Sequence, residues 1–488
     1  MHRAGTPSPI NRATMPSLAH ILLVSLISLS YLATSNELPE LGNSARNLIT
    51  PQQELHLGQS LLRNLRTQQQ LVEDPLLADY IQQLGQRLVG SHSTQAYRFF
   101  ILDKPSINAF AGPAGHIGIH TGLIAASQTE SELASVLAHE IAHVRQQHLL
   151  QVWESAATLS LPKTALALAT IAIGAASGNQ AGLALAAGSQ AAFMQQQINY
   201  TRRHEQEADR IGIHILAQAG YNPHAMAAFF TQIGQTKHLK NHSIPELLLS
   251  HPVNNQRTAE ALDRAGDYPY TQHQPDPLGY QLAKVRLQRQ QARHPVSPAT
   301  HQQRLASGRY RSRLAAEYAL VLALHDNNRD AEAAPYRHNL LRERPHQPEF
   351  IIVQAESEVQ QHQIPAALQR LQTAINHNPS NLALAITHAE IALGHHQAQT
   401  AVSVLQRQLD QLPKRPHLYR LLARATGILQ QPVLTHQYLA EYHAIQGQYP
   451  AAIRHIKRAL QLPNLTVHQR TRLEQHQQNY QSAQDDLV

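Results

Sequence analysis

His139-Glu140-Ile141-Ala142-His143 sets two imidazoles four residues apart, about one helical turn, with a glutamate between them. On a helix, that spacing lets both rings grip one zinc ion while Glu140 faces the water in the remaining position. With 32 His among 488 residues, the pentapeptide needs its surroundings to carry weight. Upstream, Thr129-Glu130-Ser131-Glu132 opens a helix with capping-box chemistry, and Leu133, Val136, Leu137, Ile141 and Val144 recur as an apolar helical face. The motif therefore sits on a helix. Downstream, Thr201-Arg202-Arg203-His204-Glu205-Gln206-Glu207-Ala208-Asp209 puts Glu205 and Asp209 one turn apart on a second predicted helix through Ile211, Ile215 and Leu216. Sites of two His and one Glu leave a place for water, and a ligating His hands its other N–H to a carboxylate that fixes its tautomer. Glu205 suits the first role and Asp209 the second. The competing reading makes Glu205, Glu207 and Asp209 a solvated acidic face.

Around these motifs the chain resembles the BepA-like periplasmic metalloprotease-chaperones, soluble relatives of the membrane peptidase HtpX, over nearly its whole length. The resemblance is carried by Phe110-Ala111-Gly112-Pro113-Ala114-Gly115, by Ile117 to Leu123, and by Glu132 to His143, with Ser135 at a variable position. Arg202 to Asp209 match the family's Arg-x-x-Glu-x-x-Ala-Asp motif, which by resemblance assigns zinc ligation to Glu205 rather than Glu207. Ser250-His251-Pro252, with Arg257 beyond, resembles a Ser/Thr-His-Pro-x-x-x-x-Arg segment whose His lies near the metal. There His251 either occupies the open zinc position, restraining activity, or stabilises the tetrahedral oxyanion, promoting it; the bland alternative is a surface residue. The resemblance also puts a substrate-binding strand edge near Asn108 to Ala111. His148, His204 and His242 are read as residues without a metal role.

A hydrophobic share of 42% over 488 residues buries a sizeable core and allows two to three domains. The net charge of +7 comes from 40 Lys and Arg against 33 Asp and Glu. No basic run interleaves with aromatics, which total 5%, so the composition argues against a nucleic-acid partner. Arg3 and Arg12 precede an apolar stretch from Leu18 to Ala33, expected to be a signal peptide over residues 1–35; an uncleaved anchor is the alternative. Zero cysteines exclude a lipoprotein attachment and any disulfide, and a bacterial periplasm fits.

The expected fold is mainly α: an α+β zincin-type metallopeptidase domain with a small sheet (36–265), a linker or connecting helix (266–310), and an α-helical tetratricopeptide-repeat solenoid (311–488). Ile49 to Leu71 and Pro75 to Leu88, the latter stopped by Gly90, read as amphipathic helices. Phe99-Phe100-Ile101-Leu102 is an apolar run, and Ile117 to His120 alternates like a half-buried strand. Ala156 to Ala192 reads as a helical hairpin or lid that could cover the cleft or touch the membrane surface, its alternative being a span from Ala165 to Ala187. A helix from Glu205 to Gly220, another from His224 to about Gly234, and a loop from His242 to His251 follow. Beyond, Pro345, Pro379 and Pro413 recur with a period of about 34 residues, as do Ala333, Ala367 and Ala401, and Ala355, Ala389 and Ala423. Ala440, Ala452 and Pro463 fall out of that register, which suggests an extra helix inserted near Leu418 to Leu429. Stacked helix pairs of this kind present a concave surface to extended or partly folded chains.

These readings converge on a zinc endopeptidase in which His139, His143 and Glu205 hold one zinc ion and Glu140 acts as general base. The resemblance adds unfolded or misfolded outer-membrane proteins as substrates and the outer-membrane barrel assembly machinery as partner. Two other functions stay open from sequence: a non-proteolytic repeat-based chaperone or scaffold, and a membrane-integral metallopeptidase.

Overall fold

Thr50 accepts a hydrogen bond from the Gln53 backbone, and the Gln53 side chain accepts one from the Thr50 backbone, so a capping box launches α1 (Pro51–Thr67) in the computed structural model of the chain. The structure describes residues 49–68, 70–91, 93, 95–157, 191–236, 245–269, 276–292, 296–411 and 415–485. The N-terminal apolar stretch, most of the Ala-rich segment and His242 lie outside the described residues. Helix α1 ends four residues before the expected Leu71, because the chain leaves it to hydrogen-bond the sheet: Val72 N–H donates to Ile101 C=O at 2.9 Å, and Leu71 bridges Leu102. Asp74 accepts from the Leu76 and Leu77 amides and starts α2 (Pro75–Val89), which Gly90 terminates as expected.

Three strands follow, β1 (Arg98–Leu102), β2 (Ala109–Gly112) and β3 (His116–His120), in the order β1-β3-β2. Strand β3 lies parallel to β1, pairing Phe100 with Gly118, and antiparallel to β2, pairing Phe110 with Gly118. The turn from β2 to β3 relies on Gly115, whose φ of +71° is left-handed. Expected to be half-buried, β3 is buried along its whole length, because strands flank both its edges and helices cover it. Among the described residues β2 pairs only with β3, so its outer edge carries no further strand.

Helices α3 (Thr121–Ala126), α4 (Glu130–Arg145), α5 (His148–Ala157), α6 (Ala191–Gln218), α7 (Ala225–Thr236), the short α8 (Glu246–Ser250) and α9 (Asn255–Gly266) complete this part. Helix α8 replaces the later part of the expected loop. Helix α4, expected to be amphipathic, is buried nearly all round, so its polar residues are interior groups that need partners. Its core neighbours include Ile81, Leu84, Ile117, Ile119, Ile213 and Phe229.

Helix α10 (Leu278–Gln291) serves two cores. Tyr280, Ala283 and Leu287 join the core around α4, whereas Leu282, with Leu278 and Val285, packs with Tyr318 and Phe350 of the helices that follow. After α11 (Pro298–Ala306) come five helix pairs: α12 (Arg313–Asp326) with α13 (Asp330–Glu343), α14 (Pro348–Gln360) with α15 (Ile364–His377), α16 (Leu382–Gly394) with α17 (Ala398–Gln411), α18 (Pro416–Ile428) with α19 (Pro432–Ile445), and α20 (Tyr449–Leu460) with α21 (Val467–Asp485). This is a tetratricopeptide-like solenoid. Ala333, Ala367, Ala401, Ala355, Ala389 and Ala423 are all buried where helices approach. Asn328, His362, His396, Gln430 and Asn464 all adopt positive φ between the two helices of a pair, spaced by about 34 residues throughout. The expected inserted helix is therefore not an insertion: α18 is the first member of the fourth regular pair. Alanine is simply replaced there by Thr435, whose Oγ1 lies 3.1 Å from Thr426 Oγ1. Leu76 of α2 packs with Ile351, Ile352, Ala383 and Leu384, so the solenoid rests on the sheet-bearing part. No helix of the described residues is long and apolar enough to cross a membrane.

Inside the solenoid, burial first and Arg407 second hold the His388 imidazole down at about 4, against an ordinary 6.5. The unfolded chain therefore takes up a proton between these values that the folded chain refuses, and stability must fall as pH is lowered through that window. His388→Leu should flatten this dependence, so that its urea midpoint drops less than the parent's between pH 7 and pH 4.5; an unchanged drop would dismiss His388 as a source.

Candidate metal centre

Thr129 caps α4 by accepting from the Glu132 amide at 3.2 Å, and Glu132 Oε2 accepts from the Gln128 amide at 2.6 Å, one residue earlier than in a regular capping box. The helix then carries His139, Glu140 and His143 into the interior. Alongside it runs α6, and the gap between the two is set by Gly212. A methyl group there would stand 3.0 Å from Met226 Cε and 3.2 Å from the His139 backbone nitrogen. Gly212 follows Glu205 by two turns and Asp209 by one, so the α6 face that touches α4 is the face that bears both carboxylates.

The structure brings the expected residues together. His139 Nε2 and His143 Nε2 are 2.9 Å apart, and Glu205 approaches each at 3.4 Å, through Oε2 and Oε1 respectively. His251, which follows α8, turns Nδ1 to 2.9 Å from Glu205 Oε1 and 3.3 Å from His139 Nε2, with Nε2 3.6 Å from Glu140 Oε1. Ligand atoms of His139, His143, Glu205 and His251 all lie within 4.8 Å of one another. Asp209 Oδ1 stands 3.0 Å from His139 Nδ1, the nitrogen turned away from the cluster. Glu207 points elsewhere, toward His148 at 3.4 Å.

Arg257 joins this group, though the sequence gives it no role beyond its place in the segment after His251. Its Nε and Nη2 donate to the two Asp209 oxygens at 2.8 Å each, and its Nη1 lies 3.0 Å from Glu205 Oε2. The Asn254 side chain, capping α9, accepts from the Arg257 amide, and Phe230 lies under the guanidinium at 5.0 Å. His148 and His204, read as bystanders, are buried beside His143: His148 Nδ1 is 2.9 Å from His143 Nδ1, and the two rings of His148 and His204 stack. A surplus of His in the sequence hides which ones fold inward.

The electrostatics favour positive charge at the cluster. Burial works against ionisation of Glu205, yet His251, His139 and His143 hold it well below the usual carboxylate range. Asp209 is held low in the same way by His139 and Arg257 against burial. Burial likewise opposes charge on His139, but Asp209 and Glu205 overcome it and push that imidazole up to about 10, whereas burial drives His143 down to about 3. Formally, Glu140, Glu205 and Asp209 bring three negative charges and Arg257 one positive, leaving two negative charges before any imidazole is counted. Among the described residues Glu140 Oε1 is buried with no hydrogen-bond partner. Nitrogen and oxygen donors converging on a doubly negative interior suit a divalent cation.

Helix α8 also touches the sheet edge. Leu247 N–H donates to Ile107 C=O at 3.0 Å, and the Asn108 side chain donates to Glu246 at 3.4 Å, just before β2 begins.

Residues 75–265 match the model of Peptidase family M48. The beta-barrel assembly-enhancing protease of Yersinia pestis is 32% identical over 428 residues, covering 85% of this chain and 86% of its own. Its namesake in Escherichia coli K12 is 31% identical over 450 residues, 91% of each chain. The mitochondrial metalloendopeptidase OMA1 of Bos taurus is 32% identical over 167 residues, covering 34% of this chain and 31% of its own.

Gly212→Val should force α4 and α6 apart, at an overpacking cost of about 1–3 kcal/mol. Affinity for a divalent metal, titrated against a chelator, is expected to drop about tenfold or more. Parent-like affinity would mean that the spacing of the helices does not set the site.

Proposed function

This chain belongs to the beta-barrel assembly-enhancing protease family and is a metalloendopeptidase, and we propose that it hydrolyses peptide bonds of unfolded or misfolded outer-membrane barrel proteins in the periplasm, using one zinc ion per chain. The observation that carries this reading is the convergence of His139, His143 and Glu205 beside Glu140 in an interior with a formal deficit of two positive charges. His139, His143 and Glu205 would hold the ion. Bound there, zinc supplies Lewis acidity that polarises a carbonyl and acidifies water.

The remaining work falls to the chain itself. Glu140 accepts a proton from the attacking water and returns it to the leaving amine nitrogen. Asp209, clamped by Arg257, keeps the His139 ring turned with Nε2 inward. An extended substrate adds to the outer edge of β2, so that main-chain hydrogen bonds bring the scissile carbonyl to a reproducible place. His251, seated among the donors, restrains the enzyme by taking the position that water needs. In this reading residues 36–265 form the peptidase, 266–310 connect, and the solenoid of 311–488 recruits the polypeptide and the barrel assembly machinery; the names of the relatives refer to barrel assembly.

Zinc content and cleavage of an unfolded outer-membrane barrel protein, measured on full-length protein, test this. Glu140→Gln should keep its zinc and lose at least about a hundredfold in cleavage rate. His251→Ala should keep zinc and cleave faster than the parent; slower cleavage would assign His251 to oxyanion stabilisation instead. A parent that cleaves no faster than Glu140→Gln, even with His251 removed, would leave a scaffold rather than a protease.

A further inference from the structure

His143 uses Nε2 toward the donor cluster, and its other nitrogen faces a second buried ring. His143 Nδ1 and His148 Nδ1 are 2.9 Å apart. His148 Nε2 lies 3.4 Å from Glu207 Oε2. The His148 ring lies face to face on His204, with centroids 4.0 Å apart and planes inclined by 14°, and His204 Nε2 is 3.0 Å from Gln151 Oε1. Helix α5 thus supplies His148 and Gln151, and α6 supplies His204 and Glu207, on either side of the ligand Glu205.

We infer that His148 is the positioning residue of His143, doing with a neutral imidazole what Asp209 does for His139 with a carboxylate. This rests on reading His143 as a metal ligand. A neutral imidazole that offers its Nε2 lone pair to a cation carries its proton on Nδ1. That proton needs an acceptor, and His148 Nδ1 is at hydrogen-bonding distance. Accepting there, His148 carries its own proton on Nε2, which points at Glu207. One set of tautomers therefore gives each proton an acceptor, and the row ends on a half-exposed carboxylate. Stacking on His204 holds the plane of the His148 ring, and with it the direction of its lone pair.

The difference between the two supports follows from charge. Among the described residues three carboxylates already surround the cluster against one guanidinium, so a fourth placed directly on His143 would deepen the negative charge in a buried site. A neutral acceptor orients the ring without adding to it, and the chain places the charge one residue further out, on Glu207.

Zinc affinity of the full-length protein, by competition with a chelator, separates this role from packing. His148→Leu fills space but cannot accept, and should weaken zinc about 10- to 100-fold. His148→Asn keeps an oxygen near the place of Nδ1 and should recover most of that loss, although it fills the space less well. In a His143→Ala background, His148→Leu should change nothing further. Equal losses in His148→Leu and His148→Asn, no loss in either, or a loss that persists without His143 would overturn the inference. Should His148→Leu fail to fold, Glu207→Gln decides: weaker zinc in the parent background and no change in His148→Asn is expected, and an equal effect in both refutes the row. If parent and His143→Ala hold zinc equally, the ligand reading itself is at fault, which no outcome at His148 alone would show.

Discussion

Carboxylates in the interior of a protein are tolerated only where something answers their charge, and here three of them, Glu140, Glu205 and Asp209, meet a single guanidinium among the described residues. Much of the surrounding architecture serves that imbalance. Helix α6 must lie close enough to α4 for Glu205 and Asp209 to reach the two histidines, which is why the contact is made at a glycine, Gly212, and not at a side chain. Helix α9 must start where Asn254 can cap it, because the Arg257 amide bonded by that cap belongs to the residue whose side chain binds Asp209 bidentately. A cation at the cluster completes the balance, so metal binding and the stability of this core are one problem and not two.

The same reasoning explains the flanks. His139 is supported by an anion that is itself neutralised by Arg257, whereas His143 is supported by an imidazole. Both rings are thereby fixed with Nε2 inward, and the local charge stays near what one divalent ion can balance. His251 enters this arrangement from α8, a helix of a single turn tied to the sheet edge through Leu247 and Ile107. So short a helix has little stability of its own, which makes the residue it delivers the one donor not held by a long buried element.

What the sequence revealed was governed by range. Local periodicity fixed α4 and the helix of Glu205, and the chemistry of the motifs paired them across more than sixty residues of chain, while the choice of Glu205 over Glu207 came from the family resemblance. Arg257 was hidden, since nothing in its neighbourhood distinguishes a buried guanidinium from a solvated one; only the position of Asp209 in space does. His148 and His204 were hidden by abundance, as 32 histidines make any one of them unremarkable. In the solenoid, prolines and alanines betrayed the period, but one repeat further on Gly447, Thr435 and Lys457 interrupt the three series, and the off-register Ala440, Ala452 and Pro463 imitated an insertion. The backbone keeps the true register at Asn328, His362, His396, Gln430 and Asn464, where conformation repeats while residue type does not. Left-handed turn positions tolerate several polar residues, so they are poorly visible in a single sequence.

Helix α10 shows why a boundary drawn from composition and one drawn from packing need not coincide. Its polar, Gln-rich sequence reads as a connection, and its overall amphipathicity is weak because apolar residues lie on two faces. One face gives Tyr280, Ala283 and Leu287 to the core around α4, and Tyr280 Oη donates to Ser127 C=O at 2.8 Å, two residues before the cap of that helix. The other gives Leu282 to the first solenoid pair. Arg286 joins the two sides by polar contacts, donating to Asp74 at the start of α2 and to Tyr318 of α12 at 2.8 Å. A fragment ending at residue 265 would lack three side chains of its own interior, and a solenoid beginning at 311 would expose the apolar surface that covers Leu282. The helix that looks like a tether is therefore a shared part of both cores, and the start of α4 is held by the same element on which the solenoid packs.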